Sequence, residues 1–492
     1  MKKRSLLIVS VILLVSLLSS MLCVSVSAAG ETEISTADQL KAVANNLSGS
    51  YKLTADIDLG GEAWTPIGNS DTPFTGTFDG NGHTVSNFTI TADETYGKNS
   101  AGFFGYSNGG TIKNLRIANA TITTSYSAYV GAVLGYQLSE VAGRISSCVV
   151  ASDVTLIADG AHCEQLKIGG IVGESRYLLE YCENNATVTV KKSINGNPDD
   201  LDSSGKQRYT NKCYAGGIAG TAIGTVKYCI NNGNVTVEDY DGKKSGWYTF
   251  AAGVLGGTNP WGELTSVIQG CINNGTITNS ISSLNVTAGA GGVVGNTYGG
   301  NAAFTARTVK DCFNFGDVES NEVGQIIGHC GNSDPHKGAV TCENNVGIAN
   351  HDPMCGNISD DLLLSATNQV GVRGDTAENM KASDTYKNII TMMENNMLFD
   401  LSDMPAPATP ANPPSTDDTN NNDSSGEDDE TTDNEDETTK APVTTEAPTA
   451  DSTPTTDAAD EANGGCGSTV SAFGALAILS ILGTAVICKK KD

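Results

Sequence analysis

His329, Cys330, His336 and Cys342 have the residue types and spacing nearest to a metal site, because imidazole and thiolate are the common ligands of zinc. Cys342 also belongs to a recurring apolar position, and the stretch between them is rich in Gly and Asn, so no metal site is expected there. Zinc-dependent peptide hydrolysis would need HExxH, two histidines one helical turn apart with a carboxylate to activate water. None of the five histidines stands in that arrangement. Asp79 and His83 could pair as acid and base, but the sequence DGNGH around them reads first as a tight turn. Arg373-Gly374-Asp375 matches a tripeptide read by integrins, and its plainer reading is a surface turn. Carboxylates that could serve a polysaccharide lyase or hydrolase are scattered, with no compact cluster. Catalytic residues, cofactors and metals are accordingly expected to be absent. Binding chemistry is better represented: Tyr240, Trp247, Tyr248 and Trp261 lie in polar insertions, where sugar rings could stack on them.

Such residues need a scaffold, and repetition identifies it. The stretch Tyr214 to Val237, YAGGIAGTAIGTVKYCINNGNVTV, contains pieces that recur in the same order along most of the chain. A glycine-aliphatic piece closes at Gly105, Gly135, Gly173, Gly220, Gly256, Gly295 and Gly328. A second piece carries Cys148, Cys182, Cys229, Cys271, Cys312 or Cys342, with Leu115 in that place in the first copy. Two residues later stands Asn184, Asn231, Asn273, Asn314 or Asn344, replaced by Ile117 and Val150 in the first two copies. Units spaced by roughly thirty to forty-five residues predict stacked coils. Adjacent coils about 4.8 Å apart would align like side chains into ladders. Small thiols and aliphatics suit a tight interior, and Leu115 marks the cysteine position as apolar rather than reactive. Asparagine would fit a left-handed corner and bond its equivalent one coil away, and the glycines would serve the opposite corners. The interval from closing glycine to cysteine varies, from Gly173–Cys182 to Gly295–Cys312, so insertions are expected along one edge.

Residues 1–29 combine Lys2, Lys3 and Arg4 with an apolar run and small residues, as in a secretory signal. Thr36 and Gln39 form a capping-box pattern ahead of Leu40, Val43, Ala44 and Leu47, an amphipathic helix expected to cover the first coil. Residues 30–350 hold that cap and the repeats, and residues 351–401 are expected to form a C-terminal cap. There Asp384 would start a helix with Ile389, Met392, Met393 and Met397 on one side. The formal charge is −27, and sixteen of the excess acidic residues lie between Asp403 and Glu461. Residues 402–466 are therefore read as a disordered acidic stalk, poor in large apolar residues and rich in Pro and Thr. Residues 467–488 are apolar over a bilayer-spanning length, and 489–492, with Lys489, Lys490 and Lys491, form a cytoplasmic tail. No basic patch offers itself to nucleic acid. Of the thirteen cysteines, those outside the ladder include Cys163, Cys213, Cys330, Cys355 and Cys466, and a Cys330–Cys355 bond is one open possibility.

The glycine-aliphatic and cysteine-asparagine pieces, from about Ile34 to Ile348, resemble the GLUG repeat of bacterial surface proteins. These include adhesins and non-catalytic parts of IgA-cleaving metallopeptidases. The resemblance implies an all-β, right-handed parallel β-helix with short helical caps. The tail is similar to the sorting tails of Gram-positive surface proteins but lacks LPxTG, so retention by a C-terminal transmembrane helix is the expectation. The implied protein is exported, anchored in the cell membrane, and presents its β-helix to an extracellular glycan or protein. A carbohydrate-active β-helix enzyme and a ligand-free structural spacer are the alternatives.

Overall fold

The structure, a computed structural model, describes residues 30–93, 100–138, 141–159, 165–192, 212–239, 248–258, 266–281, 287–297, 307–329, 340–348, 355 and 372–401. These fall within one compact unit, Met1–Ser415. The signal, stalk, membrane-spanning and tail segments (1–29, 402–466, 467–488 and 489–492) lie outside the described residues. No helix among the described residues is long and apolar enough to cross a membrane.

The described chain is all-β apart from short helices, and every pairing among its strands is parallel. One coil is formed by Leu178–Glu180, Glu183–Asn184, Thr187–Lys192, Lys212–Gly216 and Ala219–Ala222, each pairing with its equivalent in the next coil. The stack has four sheets. Sheet I has ten strands, from Thr32–Ile34 to Val340–Glu343; sheet II has fifteen; sheet III has six, from Tyr129–Gly131 to Glu322–Gly324; and sheet IV has seven, from Phe104–Ser107 to Ile327–His329. Strands this short bury nothing by themselves, so each coil is stabilised by its neighbours.

Register makes the ladders literal. In sheet I, Phe78, Ile112, Ile145, Leu179, Val226, Ile268 and Val309 stack inward. Beside them Leu115, Cys148, Cys182, Cys229, Cys271 and Cys312 form a second row, each fully buried. Burial pushes the thiols of Cys148, Cys229 and Cys312 up. Cys213, outside this row, is buried as well.

Two of the expected ladder residues stand elsewhere. Cys342 pairs with Val309 in the aliphatic row, and Asn345 takes the place after Cys312, accepting a hydrogen bond from the Cys312 amide at 3.1 Å. The last coil is thus shifted by three residues relative to the cysteine spacing. Asn344 consequently falls at a corner, with φ 54°, and is exposed. That corner is left-handed in every coil: Asn114, Ser147, Tyr181, Tyr228, Gly270, Asp311 and Asn344 all have positive φ. The interior asparagines Asn184, Asn231, Asn273 and Asn314 are not left-handed, so their expected role at the bend belongs to the residue preceding the cysteine. Tyr181 and Tyr228 occupy it against their own preference, and their rings stack at 5.5 Å.

The asparagines instead form a buried amide chain. Asn184 donates to Asn231 at 2.9 Å, Asn231 to Asn273 at 2.8 Å, Asn273 to Asn314 at 2.8 Å, and Asn314 to the Gln325 side chain at 2.8 Å. Each also donates to a carbonyl two residues on, of Ala186, Gly233, Gly275 or Gly316. A partly buried second chain runs in the opposite sense, Asn274 to Asn232 to Asn185. The glycines Gly170, Gly217, Gly253 and Gly292 have ordinary φ, and no corner requires them. A Cβ at any of these would overlap the side chain of Asn184, Asn231, Asn273 or Asn314 respectively. The glycine and the asparagine are one device, a side chain and the space it needs.

At the N-terminal end the capping box forms: Gln39 N donates to Thr36 Oγ1 at 3.3 Å, and Gln39 Oε1 accepts from Thr36 N at 3.2 Å. Leu40 and Val43 are buried, but the helix Ala37–Lys41 tightens to a 3-10 turn over Ala42–Asn45, which leaves Ala44 exposed. The first coils are filled by rings, with Trp64 stacked on Phe103 at 4.9 Å and its indole donating to the Phe103 carbonyl.

The C-terminal residues divide: Cys355 and the strand Val372–Asp375 add to the last coil at the end of the stack, as a cap would, and the helices that follow cover a flank. Helix Asp384–Asn396 is capped by Ser383, whose hydroxyl accepts from Tyr386 N, while Asp384 lies in the first turn. Met380, Ile389, Met393, Met397 and Leu401 pack on Tyr181 and on the apolar members of one sheet II row, Val149, Ile230, Ile272, Phe313 and Val346, in which Glu183 stands between Val149 and Ile230. Tyr386 meets Phe313 edge-on, Ser147 Oγ donates to Asn396 O at 2.8 Å, and Leu398 reaches Gly82. The segment therefore runs back toward the first coils as a strap. Met393→Ala should cost about 2–4 kcal/mol of strap attachment. Protease cleavage within Asp384–Asn396 should accelerate while the coils stay protected; equal loss of protection in both would contradict a separable strap.

Candidate functional site

The strands of sheets III and IV are joined by the glycine-aliphatic piece, and side chains seven residues apart meet across it. Tyr129 and Tyr136 have ring centroids 4.3 Å apart, Lys167 is ion-paired with Glu174, and Glu322 Oε2 lies 2.6 Å from His329 Nδ1. Register carries both sides along the stack. One row is Tyr129, Lys167, Tyr214, Phe250, Gly289 and Glu322; the other is Tyr106, Tyr136, Glu174, Thr221, Gly257, Asn296 and His329. Close approach of the two strands is possible because the closing glycines have no Cβ: at Gly173 it would meet Val130 N at 2.5 Å, and at Gly220 it would meet Ile168 N at 2.5 Å.

Rings dominate this seam. Tyr106 meets Tyr136 at 5.5 Å, Tyr214 stacks with Phe250 at 6.0 Å, Tyr248 stacks with Phe250 at 6.2 Å, and Phe250 lies 5.4 Å from the His329 ring. Lys167 and Arg176 sit over Tyr129 and Tyr136 at 5.1 and 5.4 Å. Glu174 is completely buried and is held by Lys167, by Arg176 at 2.6 Å and by the Thr221 hydroxyl at 3.2 Å. A carboxylate so engaged is a brace for the seam and a poor general base. Burial, aided by the Glu174 charge, pushes the Tyr136 phenol up to about 12 and also raises Tyr129, so both remain hydrogen-bond donors near neutral pH.

Coil length varies at two places, one on each side of this seam. One precedes the sheet III strand, between Lys192 and Lys212 or Asp239 and Tyr248; the other follows the sheet IV strand, between Thr258 and Ser266 or Asn296 and Arg307. Only the second was legible from the glycine-to-cysteine interval. Of the aromatic residues expected to bind, Tyr248 is half-buried on the sheet III side of the seam. Tyr240, Trp247 and Trp261 lie outside the described residues. Tyr106, Tyr129, Tyr136, Tyr214 and Phe250 escaped the sequence reading; their constant offset of seven from the facing row was the available signal.

The other chemically suggestive residues are engaged locally. Asp79 accepts from Asn81 N at 2.8 Å and Asn114 at 2.9 Å and pairs with Lys113 at 2.9 Å; burial pushes its carboxyl up, but these partners together hold it below the usual range. His83 faces Asp56 instead, at 3.2 Å. Arg373–Asp375 lies in strand Val372–Asp375 rather than in a turn, and bonds from Asn379 and the Thr376 amide hold Asp375 below the usual range. Among the described residues no group of three His, Cys, Asp or Glu is placed to hold a metal ion. Among the described residues Glu174 and Glu322 are the carboxylates of the two seam rows, and four coil steps between their levels separate them by roughly 19 Å. Paired-carboxylate glycoside hydrolysis works across about 5–9.5 Å.

No protein-family model matches the chain. A segment is 35% identical over 156 residues to halomucin of Haloquadratum walsbyi, covering 29% of this chain and 2% of that protein. Another is 37% identical over 112 residues to a protein of Evansella cellulosilytica described as a Gly-rich membrane protein, covering 21% of this chain and 13% of the relative. The chain thus spans only a small part of the length of either relative. A solved structure from Bacteroides ovatus, described as an immunoglobulin A1 protease, aligns with TM-score 0.41 and 20% identity over 74% of this chain and 87% of its own.

Proposed function

We propose that this is an exported, cell-surface protein whose parallel β-helix, of the right-handed GLUG type, binds an extended extracellular glycan along the seam between sheets III and IV. The observation that carries the reading is the half-buried set Tyr129, Tyr136 and Tyr248, backed by the buried rings of Tyr106, Tyr214 and Phe250, in a seam flanked by the two places where coil length varies. Stacked apolar faces beside fixed phenol donors are what a sugar ring, apolar on its faces and hydroxylated at its rim, requires. Export rests on residues 1–29, and anchoring on the acidic stalk 402–466 and the apolar segment 467–488. The membrane assignment of the Evansella relative agrees with that placement.

Arrays of glycans and matrix proteins probed with the purified chain test the reading. Selective glycan binding is expected, and Tyr248→Ala should weaken it about tenfold or more, as truncating an aromatic anchor does. Matrix-protein binding alone would redirect the proposal to a protein ligand, absence of any selective signal would favour a spacer, and polysaccharide turnover would favour an enzyme.

A further inference from the structure

Eight cysteines among the described residues are outside any disulfide, and they divide by environment. Six are buried, five of them in the ladder, while Cys342 and Cys355 are partly open to solvent. Those two also converge. Cys342 is in the last strand of sheet I, paired with Val309. Cys355 is held to the last strand of sheet IV by a parallel bridge with Ile327, and both cysteines pack on the same end of the apolar core. Their thiols are hydrogen-bonded to each other, and the bond from Cys355 holds the Cys342 thiol below its ordinary range, against the opposing effect of burial. An accessible thiol within hydrogen-bond reach of a second thiol is the arrangement that thiol–disulfide exchange requires.

We propose that Cys342 and Cys355 form a disulfide that ties the chain leaving the last coil to sheet I and closes the C-terminal end of the stack. The bond forms by exchange with a disulfide oxidant of the glutathione-disulfide class. Cys342 thiolate attacks one oxidant sulfur and releases one thiolate. Cys355 then loses its proton and attacks the Cys342 sulfur, expelling the second thiolate. Two protein thiols are oxidised and one external disulfide is reduced to two thiols. The proposal is independent of the ligand of the seam.

The full chain incubated with glutathione disulfide, alkylated without unfolding and mapped by peptide mass, provides the test. A Cys342–Cys355 linked peptide is expected, with Cys148, Cys182, Cys229, Cys271 and Cys312 alkylated only after denaturation. Cys330→Ser should leave the link intact, and Cys342→Ser should leave Cys355 carrying a single glutathione. Recovery of Cys342 and Cys355 as separately alkylated or separately glutathionylated residues would overturn the proposal, as would linkage of either one to Cys330.

Discussion

Asn231→Ala is expected to lower the stability of the stack by about 3–5 kcal/mol, because three buried partners lose their bonds together. Asn184 loses an acceptor, Asn273 Oδ1 loses the shorter of its two bonds and keeps the one from the Gly275 amide at 3.2 Å, and the Gly233 carbonyl loses the 2.7 Å bond from Asn231. Each buried group left unsatisfied costs about 1–3 kcal/mol, and the truncated side chain leaves a void that in-register strands close only partly. Asn185→Ala removes a partly buried amide of the second chain and should cost about 1 kcal/mol or less. Urea unfolding followed by hydrogen exchange of the flanking strands would compare the two. Equal effects would show that the interior amides are fillers and that the ladder does not hold the coils in register.

The repeat itself was readable because a solenoid writes the same packing problem into every coil. Glycine, thiol and amide recur where the interior recurs, and the strands follow from that periodicity. What misled was arithmetic at the last turn. Cys342 kept the spacing to Asn344, but the chain enters the last coil three residues later, and only backbone pairing with Val309 reveals the slip. The left-handed corner was legible in principle from Asn114, Asp311, Gly270 and Asn344, residue types that tolerate it. Tyr181 and Tyr228 concealed it, since no local rule puts tyrosine there; the support comes from stacking between coils and from the strap. The seam was hidden for a related reason. Its residues differ from coil to coil, tyrosine, then lysine, then phenylalanine, so repetition gives no signal, and the contact between positions seven apart depends on how tightly the glycine-aliphatic piece bends.

Position 217 offers the sharpest test of the claim that glycine and asparagine act together. Gly217→Ala at an ordinary backbone conformation would normally stabilise a protein by about 0.4–1 kcal/mol, by restricting the unfolded chain. Here the new Cβ would overlap the Asn231 side chain and the Gly253 carbonyl, so a loss of about 3 kcal/mol or more is expected. The chain contains its own control. In the coil where Val150 replaces the asparagine, Ala132 replaces the glycine; in the first copy Ile117 accompanies Phe103; and in the last coil Gln325 fills the same position and ends the amide chain. Side chain and space therefore trade along one axis of the interior. It follows that Gly217→Ala should cost at least 1 kcal/mol less in an Asn231→Val background than alone, with the remainder set by the Gly253 carbonyl, which that second change does not move. Costs that simply add would separate the two residues and leave the glycine explained by backbone approach only.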